Sequence, residues 1–117
     1  MYHRFVIKDP FPTSKGMIAF AYDFFFKLGR DDLALESLII WFDNNLEIPE
    51  KDLSGGFFWF KDDLVFWQKC QKLKNWLEEN LGVRCFHICS SNPGTTMYND
   101  FQQVYCKFNK KVKWEKR

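Results

Sequence analysis

Histidine is scarce in this chain of 117 residues: His3 and His87 are the 2 present, so chemistry built on several imidazoles has little material to work with. Glycine and proline are also few, at 6 and 4, which excludes collagen-like and low-complexity classes. Long apolar runs are missing as well. The longest, Met17 to Leu28, is too short to span a bilayer and is interrupted by Asp23 and Lys27. The opening residues MYHRFVIKDPFP carry no apolar stretch ahead of a small-residue cleavage site. None of the 4 cysteines stands in a Cys-x-x-Cys spacing, so free thiols in a reducing, cytoplasmic setting are the expectation. Nucleotide and hydrolase signatures are absent too. The segment LSGGFF lacks the lysine and the spacing of a phosphate loop, and neither Gly-x-Ser-x-Gly nor His-Glu-x-x-His occurs. No catalytic residue and no cofactor is implied.

What the chain does have is aromatic mass. Aromatic residues make up 20% of it, with 14 Phe and 5 Trp, and hydrophobic residues in total make up 46%, enough for one core in a domain of this size. The expectation is a single α+β domain over residues 1–108 followed by a basic tail or edge strand at 109–117. The net charge of +2 conceals an asymmetry, because that tail holds +4 and the rest of the chain −2. Cations gathered at a terminus, rather than spread over a face, are the pattern of a solvated tail.

Periodicity and turn chemistry place the elements. Arg4 to Lys8 reads as a short strand closed by Asp-Pro-Phe-Pro. Met17 to Leu28 has its charges four apart on one face of an otherwise apolar helix, with Gly29 as a stop. Asp31 and Asp32 cap a second helix with the stripe Leu35, Leu38, Ile39, Phe42 and Leu46. Phe57 to Phe60 has large aromatics on both faces, as a central strand does. Asp62 and Asp63 cap a third helix, with Phe66, Cys70, Leu73, Leu77 and Leu81 inward and Gly82 at its end. Residues 83–91 and 102–108 read as the last strands, the latter antiparallel to the former. The predicted architecture is a two-layer α+β sandwich: a mixed sheet of four or five strands with three helices, containing a β-α-β unit over Phe57 to Ser90 and a C-terminal β-hairpin.

The series Trp41-Phe42-x-x-Asn45-Leu46-x-x-Pro49, then Trp59-Phe60-Lys61, then Pro93-Gly94-x-x-x-Tyr98-x-Asp100-x-x-Gln103-Val104 resembles a group of small uncharacterised bacterial proteins. The resemblance covers residues 41 to 108 and implies no activity. Asn99 stands where that group often has an acidic residue.

Candidate binding residues cluster in the segment NPGTTMYNDFQQVY. Pro93-Gly94 suits the centre of a type II turn, and Asn92 is placed to accept local backbone hydrogen bonds. Tyr98, Asp100 and Gln103, with Asn92, Thr95 and Thr96, make a polar lip that either satisfies its own loop backbone or holds a partner. Lys110, Lys111, Lys113, Trp114, Lys116 and Arg117 are the alternative contacts, for a nucleotide or nucleic acid. Cys85, His87 and Cys89 alternate on one strand face, with Cys106 on what reads as the neighbouring strand. Strand residues two apart stand about 7 Å from each other, and structural zinc sites draw paired ligands from a knuckle, so buried thiols beside a hydrogen-bonded histidine are expected and no metal is assigned. The same thiols with His87 are the candidates for a cysteine-based enzyme.

The reading these patterns favour is a small non-enzymatic, intracellular protein-interaction module with no membrane contact and a protein partner. Inhibitors of host machinery encoded by viruses or mobile elements are a variant by association. A nucleic-acid-binding module and a cysteine enzyme are the alternatives.

Overall fold

The computed structural model describes residues 1–29, 31–50 and 53–117. In chain order these form β1 (Tyr2–Ile7), α1 (Met17–Phe24), a π-helical turn (Phe25–Gly29), α2 (Leu33–Asn45), β2 (Gly56–Lys61), α3 (Leu64–Leu81), β3 (Cys85–Ser90), β4 (Thr95–Asn99), β5 (Gln103–Lys107) and β6 (Glu115–Lys116). Among the described residues no helix is long and apolar enough to cross a membrane.

The helices begin and end where side-chain chemistry lets them. Asp32 accepts the Leu35 N–H at 2.8 Å and Asp63 accepts the Phe66 N–H at 2.8 Å, each satisfying a donor that the first turn leaves unpaired. Gly82 closes α3 in the left-handed conformation at φ 65°, which costs glycine least. The first helix is shorter than its apolar run suggests. It loosens into the π turn at Phe25, and Asp23 pairs with Lys15 at 2.6 Å rather than lying against Lys27.

The sheet is the main departure from the predicted architecture. Among the described residues it has six strands in the order β4-β5-β2-β1-β3-β6, and every neighbouring pair is antiparallel. It is therefore neither mixed nor limited to four or five strands. The unit β2-α3-β3 does form, but β1 inserts between its two strands and runs against both, so no parallel ladder results. The last hairpin joins β4 to β5, and β5 lies beside β2 rather than β3. The segment expected to be a loop supplies β4, and the tail supplies β6.

Side chains of β1 alternate between two apolar clusters. Phe5 and Ile7 join Met17, Ala21, Leu35, Phe42, Phe66, Leu73 and others from all three helices; Val6 joins Trp59, Ile88, Val104 and Cys106. The β1–β2 ladder stops after two residue pairs, Tyr2 with Lys61 and His3 with Phe60, while β2 continues along β5 as far as Gly56. Beyond that point the far end of β1 is met by the segment before α1, through the Val6–Gly16 bridge and the Ile7 N–H to Lys15 carbonyl bond at 3.0 Å.

Arg4 sits where the strands part. It is buried, and its guanidinium donates to the carbonyls of Pro12 at 2.8 Å, Ser14 at 2.6 Å and Phe58 at 3.1 Å, with the Phe57 ring 5.0 Å away. Burial lowers it to about 10, which leaves it charged at neutral pH. Arg4→Met is therefore expected to lower the melting temperature by roughly 10 °C or more, since each orphaned carbonyl costs about 1–3 kcal/mol and 1 kcal/mol moves a domain of this size by about 4 °C. Arg4→Lys retains the charge but not the three-pronged reach and should fall between the two. A thermal melt of Arg4→Met matching the native protein would show the clamp to be dispensable.

Candidate functional site

Of the residues singled out in the sequence, Tyr98, Asp100 and Gln103 do come together, but facing one another. The Tyr98 hydroxyl donates to Asp100 Oδ2 at 2.7 Å, and the backbone N–H groups of Gln102 and Gln103 donate to Oδ1 at 2.8 and 2.9 Å. The Gln103 amide, buried at 4% exposure, donates to Asp100 Oδ2 at 3.1 Å and to the Glu47 carbonyl at 2.8 Å. Lys61 completes the knot by donating to Asn99 Oδ1 at 2.7 Å and the Asp100 carbonyl at 2.6 Å. This is how the β4–β5 turn is held. Asn92, Thr95 and Thr96 lie at the opposite end of that hairpin, exposed, with Asn92 Oδ1 accepting the Gly94 N–H at 3.4 Å. Gly94 has φ +126°, and a Cβ there would stand 2.2 Å from the Lys107 carbonyl oxygen, so only glycine fits.

The basic tail is anchored along β3. Ser90 donates to the Lys113 carbonyl at 2.7 Å, the Arg117 N–H donates to the His87 carbonyl at 2.8 Å, and β6 pairs with Ile88 and Cys89. Lys110, Lys111, Lys113, Lys116 and Arg117 are exposed, whereas Trp114 is half-buried against the Val6–Trp59 cluster, its ring centroid 5.3 Å from that of Phe11. Arg117 also pairs with Glu115 at 2.8 Å.

Two further features were not visible in the sequence. The first is a groove of about 500 Å³ at the parting of β1 and β2, walled by Met17, Ile18, Leu46, Ile48, Phe57 and Phe58. Its polar neighbours are engaged: Arg4 on three carbonyls, Gln103 in the knot, the Tyr22 hydroxyl on the Ile39 carbonyl at 3.4 Å, and the Tyr105 hydroxyl accepting the Gly56 N–H at 2.9 Å. The carboxylates of Asp43 and Glu47, both on exposed residues, stand at its mouth.

The second is a cluster of His3, His87 and Cys89. The register of β1 on β3 sets His3 directly opposite Cys89 and Phe5 opposite His87. His3 Nδ1 lies 2.9 Å from His87 Nε2 and 3.2 Å from Cys89 Sγ, and His87 Nε2 lies 3.3 Å from that sulfur. The other ring nitrogen of His3 is bonded to the Asp62 carboxylate. The His87 ring stacks on Phe5 at 4.6 Å between centroids and 7° between planes, which fixes its tilt. Cys85 belongs to the helix-side cluster further along β3, and Cys106 to the cluster on the opposite face, on β5, with β2 and β1 between it and β3. The four residues weighed from spacing therefore do not assemble; His3 takes the place expected of Cys106. No local signal marks His3, because only the long-range pairing of the first strand brings it there.

As a nucleophile Cys89 is poorly set. It is 1% exposed, and burial pushes its thiol up. Burial, with His3 and Arg117 nearby, pushes His87 down to about 4. Compared with known proteins, the chain matches no family model, no curated protein and no solved structure. The functional reading therefore rests on geometry.

The knot carries a pH signature. Burial alone would raise the Asp100 carboxyl, but the bonds from Tyr98, Gln102 and Gln103 outweigh it and hold the group below its ordinary range. A depressed folded-state value contributes stability above the unfolded carboxylate range and loses it as pH falls through the folded value. Asp100→Ala should therefore melt several degrees below the native protein at neutral pH, and the gap should close in acid. A gap constant with pH would mean that the carboxylate charge is not what holds the turn.

Proposed function

We propose that this protein is a small non-enzymatic binding domain, built as a two-layer sandwich of helices on a sheet, that holds an apolar segment of a protein partner in the groove where β1 and β2 part. The layering is supported by the single cluster that Phe5, Ile7, Phe60 and Cys85 share with the buried residues of α1, α2 and α3. One observation carries the functional reading: a groove of about 500 Å³ in which Arg4, Tyr22, Gln103 and Tyr105 are already bonded within the protein, so that apart from the exposed Asp43 and Glu47 what it presents is apolar wall. Sites of this volume commonly take ligands through apolar contact with few polar anchors. Ile48, on its wall, is 85% exposed, which carries the apolar surface out to solvent. Asp43 and Glu47 at the mouth favour a segment in which basic residues flank the apolar anchor.

The nucleic-acid alternative has the exposed cations of residues 110–117, but the aromatic rings beside them are already engaged: Trp114 is half-buried against the Val6–Trp59 cluster and packs on Phe11, and Phe86 lies under Lys116 and Arg84. Selection of displayed peptides on the immobilised protein tests the groove. Peptides with aromatic or aliphatic anchors flanked by lysine or arginine should be enriched. They should lose at least tenfold in affinity for Ile48→Asp, a change at an exposed residue that leaves the melting temperature within a degree or two. Enrichment without basic flanks, or equal binding to Ile48→Asp, would overturn the reading.

A further inference from the structure

The structure assigns a second site: we propose that His3 Nδ1, His87 Nε2 and Cys89 Sγ bind one divalent cation of the zinc type, with a fourth coordination position left to solvent. All three donor atoms lie within 4.8 Å of one another and come from two paired strands, so the ladder itself holds the set.

Distance comes first. In tetrahedral zinc sites with bonds of about 2.0–2.1 Å to nitrogen and about 2.3 Å to sulfur, ligand atoms stand about 3.3–3.6 Å apart. The observed edges are 2.9, 3.2 and 3.3 Å, so each need open by less than about half an ångström. The usual objection, that strand neighbours two apart are too far from each other to chelate, does not apply. His87 reaches along its strand toward Cys89, and His3 is directly across from that cysteine.

Protons are short in the cluster as well. A neutral imidazole has one N–H. In the neutral tautomer of His3 whose Nε2–H donates to the Asp62 carboxylate, Nδ1 keeps a lone pair aimed into the cluster. Three short contacts then share at most two protons, one from His87 and one from the thiol. A cation accepts all three lone pairs at once, the Cys89 thiol proton leaving to solvent as the ion binds and the single proton of neutral His87 sitting on Nδ1. The Asp62–His3 pair is also the arrangement by which carboxylates fix the tautomer and raise the basicity of metal-bound histidines.

The donor set decides the class of ion. Two imidazoles and one thiolate suit borderline-soft cations and exclude magnesium and calcium, which want oxygen. His3, at 20% side-chain exposure, opens onto a small pocket lined with Phe5, Phe60, Leu64, Phe66 and Trp67, through which an ion or a fourth ligand can enter.

Cobalt(II) is the probe. Metal-free protein should take up one equivalent per chain with a thiolate-to-cobalt charge-transfer band in the near ultraviolet, and zinc should displace it and raise the melting temperature. Cys89→Ser should lose the band. Asp62→Asn, at an exposed position that does not touch the ion, should keep the band and weaken affinity about 10–100-fold. This variant decides the matter if Cys89→Ser fails to fold, as judged by circular dichroism. Absence of the band at stoichiometric cobalt, a band that survives in folded Cys89→Ser, a melt unmoved by zinc, or an unchanged affinity in Asp62→Asn would each reduce the cluster to a hydrogen-bonded network and overturn the assignment.

Discussion

A charged guanidinium buried, among the described residues, with carbonyls rather than a carboxylate is the constraint on which the rest of this molecule depends. Arg4 is tied to three backbone carbonyls from two separate segments, Pro12 and Ser14 on one side and Phe58 on the other. Burying such a charge is tolerable only if its donors are satisfied, so those segments must be held in place together. The consequence is geometric. β1 and β2 are allowed to part after two pairs, the space between them becomes the groove, and the segment before α1 is pinned beside β1 in place of the missing strand.

The same strand serves both ends of the sheet. Its first residues, Tyr2 and His3, are paired on both sides, with β2 and β3, and there the cluster of His3, His87 and Cys89 forms. The residues after Arg4 keep β3 but exchange β2 for a single bridge. An ordered double ladder is what a preorganised ligand set needs, and a parted one is what a groove needs. Because the partners of β1 on β2 and β3 lie far along the chain, His3 facing Phe60 on one side and Cys89 on the other, neither feature exists until the long-range pairing does.

That dependence explains what was legible in the sequence. The helices were, because capping and apolar spacing are local: Asp32, Asp63 and Gly82 do what their positions imply. β2 was too, since large aromatics facing both ways need cover on both sides. β4 was not, because its residues are exposed or half-buried and polar, and nothing in Thr-Thr-Met-Tyr-Asn alternates. β6 is two residues long and owes its existence to β3. The insertion of β1 between β2 and β3 could not be read either. A β-α-β pattern has the same sequence signature whether or not another strand fills the gap, and only the filled version is antiparallel throughout. Of the candidate site, the tripling of Tyr98, Asp100 and Gln103 was visible, its inward direction was not, and His3 could be found only through register.

Polar clusters in a core look alike in sequence and are told apart by counting protons. At Asp100 two carboxylate oxygens meet four donors, from the Tyr98 hydroxyl, two backbone N–H groups and the Gln103 amide. Every lone pair in use has a hydrogen, so the knot is closed and serves the turn. At Cys89 the count runs the other way. Three acceptor-capable atoms crowd within 3.3 Å of one another, and in the tautomer that donates to the Asp62 carboxylate one of the two imidazoles turns a bare lone pair to the other two. Acceptors short of protons attract a cation, and that deficit, rather than the presence of histidine and cysteine as such, separates the cluster on β1 and β3 from the knot on β5.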